Sequence, residues 1–507
     1  MSIRLLRWPT SLWLVSLCMT SLCMASLCMT PPAFAQHAAE RKPNVIVIIA
    51  DDLGYGDLGS YGSRIVKTPN IDALAASGAR MERGYVTHPV CAPSRAALMT
   101  GRYQQRFGYE FNPVGRDRTG GVDIREVMLP RRMKEAGYVT GMVGKWHLGQ
   151  AEGYHPLDRG FDSFFGVLGG ATSFMLGVGP GDDEYTPPGS ESSTRTPQSN
   201  LPPASAPADV RLQALRQASP VSRGRDVVAE PAYLTEAFTR EALSFISANR
   251  DRPFFLYLAH TAPHTPLEAT RPYLDRYLDV PDRGMRIYSA MVSALDDSVG
   301  EIRQRLAREG LEKDTLIIFL SDNGCAQYVL GACTNRPLSG FKGEPLEGGV
   351  RVPFIASWPG HIKDGQVITS PVSSLDIAPT ALGLAGAPPA AVLDGRDLMP
   401  LLRGEAVTPR SLFWRAGPSR AVVDDRWKLW IAETAGPDGG PAGDHVMLFD
   451  LQNDPGERRN VAPSHPDVVA ALQERLAVWS KGLGEPQWGS NRQSIREYDG
   501  RKLRMYN

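Results

Sequence analysis

Four stretches of the chain read as strands: Asn44-Val45-Ile46-Val47-Ile48-Ile49-Ala50, the run from Tyr138 to His147, Pro253-Phe254-Phe255-Leu256-Tyr257-Leu258-Ala259, and Thr315-Leu316-Ile317-Ile318-Phe319-Leu320, of which all but the second are apolar almost without interruption. Continuous runs of β-branched and aromatic residues predict strands buried on both faces. Between them the apolar spacing turns helical. It does so at Ile71, Leu74 and Ala75 behind Thr68-Pro69, and at Val127 to Ala136 before Gly137. It does so again at Ala237, Phe238, Ala242, Phe245 and Ile246, and at Ile287, Met291, Leu295, Val299, Ile302 and Leu306 before Gly310. Another strand is expected from Pro353 to Trp358. This alternation predicts an α/β domain with a largely parallel sheet. After about Leu402 the pattern changes to a hairpin (Ala421 to Val423, then Trp427 to Ile431), a short strand from Val446 to Asp450 and an amphipathic helix from Val468 to Trp479. These predict a smaller α+β domain, with the polar residues 483–507 either wrapping back or loose.

Polar side chains gather where the buried runs stop. Asp51-Asp52 follows the first run, Lys145 and His147 end the second, His260 and His264 follow the third, and Asp322-Asn323 the fourth. In open α/β sheets ligands bind outside the carboxyl ends of the strands, so these residues are expected to share one site. Two adjacent carboxylates at ~4 Å would repel by about 4 kcal/mol at an effective dielectric near 20, and a cation removes that cost; a solvated loop pair is the plainer reading. Lys145 and His147, two apart, are expected on one face of a continuing strand. Either histidine of the third group could be a satisfied structural residue. Between 177 and 220 the composition shifts to Gly, Pro, Ser and Thr with little periodicity outside Val210 to Leu215, which predicts a long loop or partly disordered insertion.

Composition narrows the partners. The 507 residues allow two domains, and 55 Lys plus Arg against 55 Asp plus Glu give no net charge to favour nucleic acid or an anionic membrane. Arg4 and Arg7, the apolar run from Leu12 to Met29 and Ala33-Phe34-Ala35 form an export signal over residues 1–35, which a retained anchor fits less well because Ser, Thr and Cys dilute the run. The chain is therefore expected in the periplasm or outside the cell, with no membrane attachment after cleavage. Removing the leader leaves Cys91, Cys325 and Cys333. In an oxidising compartment the close pair Cys325 and Cys333 is expected to form a disulfide, leaving Cys91 over.

Cys91-Ala92-Pro93-Ser94-Arg95-Ala96-Ala97-Leu98-Met99-Thr100-Gly101-Arg102 places that thiol at the expected start of a helix, where backbone N–H groups favour negative charge. The position suits a nucleophile; a small buried hydrophobe is the alternative.

With Cys91-x-Pro93-Ser94-Arg95 and Thr100-Gly101-Arg102, the strand-end residues, and Leu448 to Glu457 near the end, the chain closely resembles the type I sulfatases of the alkaline phosphatase superfamily. The resemblance implies a large mixed, mostly parallel sheet flanked by helices in a catalytic domain at 36–402, with a C-terminal α+β domain at 403–507. It implies that a maturation enzyme oxidises Cys91 to formylglycine. Asp51, Asp52, Asp322 and Asn323, together with the modified Cys91, would hold a divalent cation, calcium by the all-oxygen donor set. Arg95, Lys145 and Lys342 would steady the aldehyde hydrate and the sulfate, and His147 and His264 would move protons, with His264 preferred to His260 for its Ala262-Pro263-His264 register. One hydroxyl of the hydrate would attack sulfur, and loss of the second hydroxyl's proton to His147 would expel sulfate. The substrate class implied is a sulfated small molecule or glycan. A phosphonate or phosphodiester monoesterase on the same site, and a non-catalytic binder of sulfated glycans, are the competing readings. The motifs specify neither the particular ester nor an oligomeric state.

Overall fold

The computed structural model describes residues 41–113, 120–185, 187, 206–329, 331–388, 390–490 and 493–506. The leader expected at 1–35 lies outside them. Residues 42–507 form one compact unit with two large sheets and two small two-stranded ones.

The larger sheet has ten strands; four of its five central parallel strands follow the expected runs, and Ser163–Val167 is an addition. Thr315–Ser321, Asn44–Ala50, Phe254–Ala259, Val139–Lys145 and Ser163–Val167 lie side by side and parallel, with antiparallel strands toward both edges. The continuous apolar character of Asn44–Ala50 follows from its central position. Ile46, Ile48 and Ala50 pack into one core beneath the Leu234–Ala248 and Arg283–Arg308 helices, and Val45, Val47 and Ile49 into another with Cys91–Thr100, Leu129–Glu135 and Ile377–Leu384. Burying one such side chain contributes about 1.5–3 kcal/mol, so both faces fix the strand's register and hold its carboxyl end in place.

Two expectations need correction. The second strand ends at Lys145, and His147 sits in the left-handed region at φ 60°, so a strand pleat does not bring Lys145 and His147 to one side. Gly144, at φ 107°, starts this departure; a Cβ there would lie 1.9 Å from the Ala259 carbonyl oxygen. The described part of 177–220 is also more ordered than a loop. Asp183–Tyr185 pairs with Leu267–Ala269, and Ala208–Ala218 is a helix. That helix is anchored by Leu212 in the core and by Arg216, whose guanidinium donates to the carbonyls of Ser173 and Glu230. The helix contains Val210 to Leu215, the part of the segment noted for its periodicity, and its only fully buried side chains, Leu212 and Arg216, keep that signal short.

The second sheet is antiparallel. It contains the expected hairpin, as Ser419–Val423 and Trp427–Ala435, flanked by Leu412–Ala416 and Pro441–Asp450, and the helix Pro466–Ser480 covers one face through Leu472, Leu476 and Trp479. The polar tail does wrap back: Gln493–Tyr498 and Arg501–Tyr506 form a hairpin joined to this sheet.

Candidate active site

The parallel strands deliver their terminal residues to one point. The Asn44–Ala50 strand stops before Asp51, and Asp52 adopts φ 65°, a left-handed turn that swings its carboxylate toward that of its neighbour. Thr315–Ser321 stops before Asp322 and Asn323. The helix Cys91–Thr100 begins at the cysteine and ends at Gly101, φ 67°, so the sequence motif spans one complete helix. Cys91 and Arg95, four residues apart, share a face of it.

Charges of both signs interlock here. Lys145 Nζ donates to Asp51 Oδ2 at 2.5 Å. Arg95 donates through Nε to Asp322 Oδ2 at 2.8 Å and through Nη1 to the Lys145 carbonyl at 3.0 Å, and its Nη2 lies in ion-pair contact 2.8 Å from the same Asp322 oxygen. Lys342 Nζ lies 2.7 and 2.9 Å from the two oxygens of Asp52, and Asn323 Nδ2 donates to Asp52 Oδ1 at 2.8 Å. Cys91 Sγ is 3.6 Å from Asp51 Oδ1 and 3.9 Å from Asp52 Oδ1. Every residue of this set but Lys342 is fully buried.

The two histidines of the third strand end part company. His264 Nε2 lies 3.6 Å from Asp52 Oδ2, while its Nδ1 is 2.6 Å from the Thr265 carbonyl oxygen. A carbonyl can only accept, so Nδ1 carries the proton and the neutral ring turns a lone pair toward Asp52. His260 points elsewhere, with Nε2 3.0 Å from Ser298 Oγ and its ring against Phe238. His147 stands near enough to Lys145, Arg95 and Lys342 to feel them, and its Nδ1 has no hydrogen-bond partner among the described residues.

At Asp52 and Asp322 burial raises the protonation constant and neighbouring bases oppose it. For Asp52, Lys342 and His264 overcome burial and hold the carboxyl well below its usual range. For Asp322, burial and the Asp51 carboxylate push it up against Arg95 and Lys145. Burial, seconded by the neighbouring cations, holds His147 low, and burial holds His264 at about 3. Burial also pushes the Cys91 thiol well up despite Lys145 and Lys342, so the thiolate is disfavoured.

The donor set fits a divalent cation. One ligand atom each from Asp51, Asp52, Cys91 and His264 falls within 4.8 Å of the others. The buried Asn323 Oδ1 has no donor among the described residues, and the His264 lone pair faces a carboxylate. Acceptors converging on acceptors are satisfied by a cation. His264 joins the cluster beyond the ligands expected from sequence, and the Asp322 carboxylate is engaged by Arg95.

Two further residues border the site. Tyr328 Oη is 3.4 Å from Asp52 Oδ2, and a Cβ on Gly170 would lie 2.4 Å from His147 Nε2. Neither belongs to a strand-end motif; the only sequence clue was Tyr328's position inside the Cys325–Cys333 interval. Those two cysteines form a disulfide, as expected, and Cys91 is free.

The sulfatase family profile matches residues 43–387, and the C-terminal profile of N-sulphoglucosamine sulphohydrolase matches residues 345–481. The chain is 34% identical to N-acetylgalactosamine-6-sulfatase of Mus musculus over 503 residues, covering 91% of each protein. It is 36% identical to arylsulfatase A of Homo sapiens over 475 residues, covering 86% of this chain and 87% of the relative. Among solved structures, Ps i-CgsB in complex with k-i-k-neocarrahexaose superposes with a TM-score of 0.75 at 34% identity, covering 88% of this chain and 95% of that one.

Proposed function

Because the chain belongs to the sulfatase family, has its alkaline phosphatase-like fold and hydrolyses sulfate esters, we propose that it does so with Cys91 converted to formylglycine and with calcium held by Asp51, Asp52, Asp322 and Asn323. The observation that carries this reading is the position of Cys91. Its sulfur is buried against Asp51 and Asp52 at a helix start, where the thiolate is disfavoured. A thiol there is a poor nucleophile at neutral pH; an aldehyde hydrate on the same Cβ would place two hydroxyls among the same partners. The cation, when bound, supplies Lewis acidity toward a hydroxyl and a counter-charge for sulfate.

The chain's own side chains do the rest. Lys145 and Arg95 stand beside Asp51 and Lys342 beside Asp52, so the three cations flank Cys91 and can grip the oxygens of a sulfate group. His264, turned inward by Thr265, is the proton donor to the departing alcohol. An entering anion next to Nε2 favours its protonated form, which that role requires. His147 takes the proton from the second hydroxyl. Arg95 ties the Cys91 helix to Asp322 and to the Lys145 strand, so the groups move little relative to one another.

A carbohydrate sulfate is the substrate class proposed, supported by the sulfated-sugar enzymes among the relatives and by the glycan in the Ps i-CgsB structure. Maturation by a formylglycine-generating enzyme and export through the 1–35 leader belong to the same reading, and the Cys325–Cys333 disulfide supports an oxidising destination. The test is the mass of the peptide from Gly84 to Arg95 in the purified native protein. Replacement of the thiol by an aldehyde oxygen is expected, with sulfate release lost in a folded Cys91→Ala variant. An entirely unmodified thiol in protein that still turns over aryl sulfate would overturn the formylglycine reading. A large preference for aryl phosphonate would overturn the assignment of sulfate as the main substrate.

A further inference from the structure

Immediately after Asp322 and Asn323 the chain enters a loop closed by the Cys325–Cys333 disulfide. Its middle is a single tight turn, Gln327–Val329, which packs the half-buried Tyr328 ring against the core. The ring's hydroxyl emerges at the site, 3.4 Å from Asp52 Oδ2. Lys342 Nζ lies 2.9 Å from that same oxygen and His264 Nε2 3.6 Å. Lys342 is tied to the loop as well, its backbone N–H donating to the Cys325 carbonyl at 2.9 Å. Three groups from separate segments therefore meet on one carboxylate oxygen.

A cation drawing on Asp52 competes with those groups for the oxygen's lone pairs. Lys342 and His264 already have roles toward the substrate in the reading above, and the Tyr328 hydroxyl occupies the same position relative to Asp52. We propose that Tyr328 is a substrate-positioning residue: beside Lys342, its hydroxyl donates to an oxygen of the bound sulfate ester once Asp52 is committed to the cation. The inference rests on the sulfatase reading. A neutral donor suits this place, because it adds a directed contact without adding charge to a site that already holds three cations.

Tyr328→Phe keeps the ring packing and removes only the donor. The test compares matured, calcium-loaded wild type with this variant by two measurements: aryl sulfate hydrolysis, and the rise in melting temperature with added inorganic sulfate, which reports its dissociation constant without turnover. Both KM and the sulfate dissociation constant are expected to rise about tenfold, the size of one hydrogen bond to a charged group. The melting temperature without sulfate and the calcium affinity should stay at wild-type values. Values of KM and the sulfate constant close to wild type would overturn the proposal, as would an increase that only follows a loss of calcium affinity or stability. A wild-type protein that neither binds sulfate nor hydrolyses the ester would instead overturn the sulfatase reading, and this inference with it.

Discussion

Lys428 offers a sharp test of how the second sheet is joined to the first. It lies in the Trp427–Ala435 strand with its side chain wholly buried, 3.0 Å from Glu347 Oε1 and 2.9 Å from Glu457 Oε1. Glu347 also accepts from Tyr85 Oη at 2.8 Å, and Glu457 Oε2 accepts the Glu347 backbone N–H at 2.6 Å. Against burial, Lys428 and Arg351 hold Glu347 below its usual range, while burial and Glu347 push Glu457 up to about 7 despite Lys428. A carboxyl raised in the folded state contributes its stability below the unfolded value, here 4.5, and loses it as pH rises through about 7. Lys428→Met removes the shared cation and forces the second carboxyl to be protonated too. From a reference of 4.5, that costs up to about 5 kcal/mol at pH 8 and about 1.4 kcal/mol at pH 5.5, in line with the ~3–5 kcal/mol typical of breaking a buried pair. For a unit of about 466 residues the unfolding entropy is near 1 kcal/mol/K, so the melting temperature should fall by ~3–5 °C at pH 8 and by ~1 °C at pH 5.5. Scanning calorimetry at both pH values measures this. A loss that is the same at both, or negligible at pH 8, would refute the account of a shared buried cation.

Two other substitutions separate position from chemistry. Gly170→Ala should push the His147 ring from its place and lower kcat by about 100-fold, the effect of a shift near 1 Å at a reacting group, with little change in melting temperature; unchanged kcat would mean that the ring has room to yield. His264→Gln should lower kcat by ~10²–10⁴, most steeply for esters of poorly acidic alcohols. His260→Gln, whose ring meets Ser298 and Phe238 away from the carboxylates, should cost about 1–3 kcal/mol of stability and leave the leaving-group dependence as in wild type. If the two variants exchanged these behaviours, the assignment of His264 would fail.

What was legible in the sequence followed from burial. A strand covered on both faces must be apolar throughout, so the central strands and the residues beyond their ends stood out, and with them Asp51, Asp52, Lys145, Asp322 and Asn323. The placement of His147 was not legible. It depends on a left-handed turn after Lys145, and a pattern of side-chain types does not encode φ. Lys428, Glu347 and Glu457 were illegible for a different reason. A lysine in a strand reads as solvent-facing until residues 81 positions before it and 29 after it are seen to enclose it. Tyr328 lies within eight residues of Asp322, yet only the folded loop turns its hydroxyl back toward Asp52.

The balance of charge links the site's geometry to its reaction. Asp51, Asp52 and Asp322 oppose Arg95, Lys145 and Lys342, so these six side chains cancel and the histidines beside them are neutral. On the proposed reading, a divalent ion leaves two positive charges in a pocket from which water is largely excluded. A sulfate monoester brings one negative charge. As the bond to the leaving alcohol breaks and a hydroxyl proton is lost, negative charge grows toward the two carried by free sulfate. The fixed charges are thus better matched to the reacting and product-like states than to the ester that enters, and interactions that strengthen along the reaction are those that raise kcat. The same excess predicts that sulfate leaves slowly, so product inhibition should weaken when any one of the three bases is neutralised.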